Sequence, residues 1–259
     1  MAETEPAGVP DTAAPLPMPP TLPTTSWILV AILAIVSGVA IWAISEPLRG
    51  RYQGKASAVQ TQSGPTMMVR DEDQAIADTK NGMLFAGIAG GLIGSVLGMA
   101  GGGIRRAWAA GLTGAALGGM LGAALGVAAS RILLPIYFGQ VADPEAKLSG
   151  ELMASMMTRG GIWGAIGLAG GMALAAGMGR WDRMAMAMVS ALIGGMMAAA
   201  FYELMGAAAF PSFKTSQPIA THWAPRLMAA LSIALGVALM AAAGVSSSGR
   251  RKRPASPPA

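Results

Sequence analysis

GIAGGLIGSVLGMAGGGIRRAWAAGLTGAALGGMLGAALG, residues 87 to 126, decides how the rest of the chain is read. It consists of two glycine-dense apolar arms hinged by Arg105 and Arg106. In the first arm Gly90, Gly94, Gly98 and Gly102 recur every fourth residue, with Gly87, Gly91 and Gly101 between them. At roughly 100° per residue all seven project within an arc of about 120°, while Phe85, Leu92, Val96 and Met99 point the other way. In water each glycine costs such a helix about 1 kcal/mol relative to alanine. In hydrocarbon the backbone has no other hydrogen-bond partner, so the helix forms regardless. The stretch therefore reads as a membrane hairpin.

Helices surrounded by hydrocarbon gain nothing from burying apolar surface, so their association rests on close van der Waals and Cα–H···O contact, which glycine permits. The second arm repeats the spacing with Gly114, Gly118, Gly122 and Gly126, bordered by Leu121 and Leu125. A packing face is the expected use of both ridges; the rival reading is bare backbone lining a water-filled path. From Leu84 to Val127 the residues resemble the glycine-zipper two-helix family of bacterial surface antigens and envelope lipoproteins. That resemblance implies a packing mode and a bacterial envelope setting, with no activity attached. The lipidated cysteine of those lipoproteins has no counterpart here, since the chain contains no cysteine.

Composition agrees with a polytopic membrane protein: 53% hydrophobic and 12% charged residues with 36 glycines and 20 methionines, and a mean hydropathy of +0.52. Net charge is +5, but the basic residues sit at segment ends or in Arg250, Arg251, Lys252 and Arg253, where topology and lipid phosphates account for them without nucleic acid. The expected partners are the lipid bilayer and either a second copy of the chain or another membrane subunit. A multi-pass setting in the bacterial inner membrane is expected, because outer-membrane spans are usually strands.

Residues 1–26 are proline-rich and acidic and cannot bury enough surface to fold alone. Trp27 to Ile44 is a charge-free span bracketed by Trp27 and Trp42. Residues 45–82 read as a polar linker with room for a short surface helix; Asp71, Glu72 and Asp73 start a helix running into the second span. Further spans are expected at 83–104, 107–133, 160–178, 184–208 and 226–245, about six in all. Pro135, Pro211 and Pro225 should mark span ends. Asp143, Pro144 and Glu145 read as a helix start leading into an apolar stripe of Leu148, Leu152 and Met156.

The chain also resembles itself at an offset of about 76 residues. Gly91 maps to Gly167, Gly94 to Gly170, Gly118-Gly119-Met120 to Gly194-Gly195-Met196, Pro135 to Pro211 and Tyr137 to Phe213; Arg105, Arg106 and Trp108 answer Arg180, Trp181 and Arg183. The units are 83–141 and 142–217, followed by a last span in 218–247 and a basic tail at 248–259. Two spans per unit preserve orientation, so the hairpins would be parallel repeats. Gly167, Gly170, Gly171 and Gly194 are then the packing glycines of the second unit. A four-helix bundle with quasi-twofold symmetry is expected, with the first and last helices outside it. Both tight basic turns and the basic tail fall on one side, which favours cytoplasmic termini.

Few residues invite chemistry. Glu203 is a carboxylate inside a predicted span, and Arg131 holds nearly the corresponding place in span three, so an Arg131–Glu203 ion pair is expected. Met184, Met186 and Met188 scatter around a helix and read as packing rather than as a copper site. The single histidine, His222, cannot build a histidine metal cluster, and no general base accompanies Ser95, Thr113, Ser190 or Ser232. No phosphate loop or dinucleotide fingerprint is present. No catalytic, cofactor or metal residues are assigned. The expected function is a non-enzymatic helical bundle that self-associates or serves as an accessory subunit, the alternative being a channel or small-solute transporter with its path between the repeats.

Overall fold

A computed structural model describes residues 22–61, 64–141, 148–210, 220 and 222–246. Six helices dominate: α1 (Thr24–Ser45), α2 (Asp71–Arg105), α3 (Trp108–Val141), α4 (Leu148–Met178), α5 (Met184–Ala209) and α6 (Trp223–Ser246). Each is long and apolar enough to cross a membrane, so the chain is a multi-pass, all-α bundle. The expected spans fall within these helices to about one residue. With 35, 34 and 31 residues, α2, α3 and α4 run to about 50 Å against a hydrocarbon core of about 30 Å. They therefore project beyond it.

Consecutive helices pack on one another and α6 closes back on α1, which lies between α6 and α2. Inside this ring, α4 touches both α2 and α6. Burial separates the two sets: 44%, 67% and 56% of the spans of α2, α4 and α6 is covered, against 28%, 28% and 33% for α1, α3 and α5. The inner three meet at Gly170, where an added Cβ would touch Val237 of α6 and Leu97 and Ile93 of α2. This corrects the expected four-helix arrangement. The last helix is central rather than peripheral, because its alanine stripe, Ala230, Ala234, Ala238 and Ala241, is slim enough to enter the interior.

Three acids occupy the first turn of α2, where they face the positive end of its dipole. Both tight turns end their first helix with one pair of backbone bonds: Arg106 N–H to Gly103 O with Ala107 N–H to Gly102 O, and Gly179 N–H to Ala176 O with Arg180 N–H to Ala175 O. The left-handed position is Gly179 (φ 68°) in the second turn but Arg106 (φ 59°) in the first. Arg105 lies against Gly179, so the turns adjoin. Exposed Trp108 and Trp181 stand beside them, at the level where interfacial tryptophans sit. At the opposite end Trp42 and Trp223 pack together with centroids 6.4 Å apart.

The linker holds an antiparallel hairpin, β1 (Ala56–Thr61) and β2 (Gly64–Val69), paired from Ala56 opposite Val69 to Thr61 opposite Gly64. This replaces the expected surface helix; Val59, Thr61, Thr66 and Val69 favour strand. A lone hairpin is marginal in water. Here Asn81 of α2 clamps its base, accepting from the N–H of Tyr52 at 3.1 Å and donating to its carbonyl at 2.9 Å.

Pro135 lies inside α3, which continues to Val141, so it is no stop. It lies about 40 Å along the helix from Trp108. That is beyond the hydrocarbon, where water can take the carbonyl it leaves unbonded. Pro225 does sit in the first turn of α6. The expected helix start at Asp143 and the mapped Pro211 and Phe213 lie outside the described residues.

Candidate functional site

Ser155, Thr158, Arg159, Ile162 and Trp163 recur at helical spacing and line one face of α4. This inward face lies away from the predicted stripe, of which Leu152 is exposed. Across from it α5 presents Tyr202 and Glu203, both 1% exposed. Arg159 and Ser155 both donate to Glu203 Oε1. The Arg159 guanidinium also stacks over Tyr202, 4.3 Å from the ring centroid, with Trp163 at 6.0 Å. The carboxylate is thus paired and hydrogen-bonded, the condition under which charge survives burial.

A second pair ties the ends of the ring. Arg226 grips Glu46 as a fork, Nε to Oε2 at 3.0 Å and Nη2 to Oε1 at 2.6 Å, and donates from Nη1 to the carbonyl of Ala220 at 2.8 Å. It joins the start of α6 to the end of α1. At 1.5 Å per residue, Arg159, Glu203 and Arg226 each lie about 30 Å from the arginine-turn ends of their helices. The polar layer therefore marks the far boundary of the hydrocarbon, enclosed by protein.

This layer surrounds a partly enclosed cavity of about 50 Å³ on the axis of α2, α4 and α6, with Ser130 and Tyr137 of α3 on its wall. Ser130 Oγ is buried without a hydrogen-bond partner among the described residues. Among the described residues no group of three or more His, Cys, Asp or Glu could hold a metal.

The expected Arg131–Glu203 pair does not form. Glu203 pairs with Arg159. Arg131 is exposed on α3, which α4 separates from α5. About 35 Å from the start of α3, Arg131 already reaches the headgroup level, where a long cation stays solvated. Arg159, Ser155, Arg226 and Glu46 escaped the sequence reading. Arg159 stood one residue before the predicted span four; the four-residue spacing of Ser155, Arg159 and Trp163 was the available signal.

The glycines fall into two groups. A Cβ on Gly90, Gly94, Gly98 or Gly102 would strike the backbone of Gly122, Gly118, Gly114 or Gly111 respectively, and Gly126 stands against Ala86. Gly87 meets Val127, while Gly91 has ordinary room beside Ala123. Between α4 and α5, Gly167 abuts Ala191, Gly171 abuts Ala187, and Gly195 abuts Trp163. Gly170 and Gly194 do not meet; Gly194 faces Gly236 and Met240 of α6. Equivalent contacts in the two hairpins thus lie 73 residues apart (Gly94 and Gly167, Gly118 and Ala191), three fewer than the sequence offset.

No protein-family model, curated protein or solved structure matches the chain.

Proposed function

We propose that this chain is a non-catalytic integral membrane protein of the bacterial inner membrane, a rigid helical bundle serving as a scaffold or accessory subunit. The observation that carries this reading is the run of backbone-to-backbone glycine contacts from Gly90–Gly122 to Gly102–Gly111, continued by Gly177 against Gly98. In a solvent that supplies no hydrophobic drive, such a glycine zipper is what holds helices together. It occupies the glycine ridges within the chain, so any self-association or subunit contact uses the outward bulky faces, such as Met196, Met197, Phe201 and Leu204. The matched contacts of the two hairpins support an origin by duplication of one helix–turn–helix unit. The four arginines at the tight turns support cytoplasmic termini.

The test is the mass of the protein in nanodiscs together with cross-linking in native membranes. A stable homo-oligomer or a stoichiometric partner is expected; a lone monomer in both would count against a scaffold. The second reading, a small-solute transporter, is favoured by the axial cavity. Solute flux into liposomes carrying the pure protein would displace the first reading in its favour.

A further inference from the structure

We infer that the axial cavity is a blind, hydrated vestibule, entered from the β-hairpin end, that admits water and small uncharged hydrogen-bonding solutes. The inference does not depend on the scaffold reading.

The first argument is the orphan hydroxyl. Ser130 is 0% exposed, lines the cavity, and its Oγ has no hydrogen-bond partner among the described residues. Buried polar atoms are almost always satisfied, by ordered water where protein is lacking. A space of about 50 Å³ holds roughly three to five waters at 10–15 Å³ each, and Ser155, Thr158 and Tyr202 border the same space.

Charge decides the class of solute. Among the described residues both cations lining the cavity are matched, Arg159 by Glu203 and Arg226 by Glu46. These residues therefore offer no net charge to attract an ion of either sign into a low-dielectric interior. Its size excludes anything beyond a few heavy atoms.

Geometry makes it blind. The polar layer lies at one hydrocarbon boundary; toward the other, Ile162 and Ile166 are followed by the contact of Val237, Leu97 and Ile93 around Gly170. Backbone contacts such as Gly177 with Gly98 then close the bundle down to the turns.

Because the chain has no cysteine, one introduced thiol is the only reactive site. Ser130→Cys, Arg131→Cys and Val237→Cys would each be treated in nanodiscs with methyl methanethiosulfonate, small and uncharged, and with its bulky trimethylammonium-ethyl analogue. Arg131→Cys should react with both, Ser130→Cys with the small reagent alone, and Val237→Cys with neither. An unreactive Ser130→Cys beside a reactive Arg131→Cys would overturn hydration. Labelling of Ser130→Cys by the bulky cation would overturn the size and charge limit, and labelled Val237→Cys would overturn the closed floor. Should Ser130→Cys fail to fold, the Tm of Ser130→Ala decides. A hydrated hydroxyl predicts no gain, whereas a rise of about 2–4 °C or more would mean a dry, unpaired one.

Discussion

Arg159 and Glu203 pair across α4 and α5 inside the bundle, at a level where Arg131 is already exposed. Their side chains are 7% and 1% exposed, so removing either leaves an uncompensated buried charge. Glu203→Leu or Arg159→Met alone should each cost about 3–5 kcal/mol, while the double change should recover most of that. The exchange Arg159→Glu with Glu203→Arg should regain part of the loss, and Arg131→Glu with Glu203→Arg none. Unfolding midpoints of purified variants read all of these; rescue by the Arg131 exchange alone would reassign the partner.

The glycine contacts predict opposite signs for one chemical change. Gly94→Ala places a methyl on the Gly118 carbonyl, and Gly118→Ala meets Ala173 and the Gly94 backbone, so both should destabilise. Gly139, inside α3 with nothing within 4 Å of an added Cβ, should instead gain from alanine by about 0.5–1 kcal/mol. Thermal unfolding of the three variants measures this. A stabilised Gly94→Ala would mean that the α2–α3 contact is looser than described.

These two cases show what a linear reading can see. The faces that α2 and α3 turn to each other were legible in the four-residue glycine spacing; the pairing of Gly90, Gly94 and Gly98 with Gly122, Gly118 and Gly114 is seen only in the structure. The second hairpin was harder. Gly170 and Gly194 keep the motif but serve contacts with α2 and α6, while Ala187 and Ala191 serve the α4–α5 seam. Small residues permit several partners, and sequence alone does not choose among them. Glu203 announced itself as a carboxylate in an apolar run; its partner did not, because Arg159 stood at a predicted boundary and the pairing depends on α4 lying between α3 and α5.

The Arg226–Glu46 fork closes the helical ring, so it should govern how α1 is held. Arg226→Lys keeps the charge but cannot reproduce both bonds to the carboxylate and the third to Ala220. A loss of about 1.5–3 kcal/mol is expected, as for hydrogen bonds to charged groups. Glu46→Gln should cost less, since its side chain is 33% exposed and water can replace the carboxylate's contacts. Protease sensitivity of the α1–α2 linker, followed alongside unfolding, separates release of α1 from global loss. An Arg226→Lys protein with unchanged sensitivity and midpoint would show that apolar contacts such as Gly38 against Leu231 suffice.

The two tight turns use one backbone geometry with different residues, which makes them each other's control. Arg106 holds a left-handed φ of 59° with a side chain attached, a conformation costing roughly 1 kcal/mol or more for residues other than glycine. Arg106→Gly should therefore raise stability by about 1 kcal/mol if the arginine makes no compensating contact; it has no carboxylate partner among the described residues. Gly179→Ala at the equivalent position should lower stability chiefly through backbone strain. It puts a side chain at φ 68°, while the exposed Arg105 guanidinium that its methyl meets can swing aside at little cost. Combining Gly179→Ala with Arg105→Ala removes the collision and keeps the strain, so about 1 kcal/mol of the loss should persist. Denaturant titrations of the four proteins separate the terms. Full recovery in the double variant would mean that collision alone, with no backbone strain, makes Gly179 necessary.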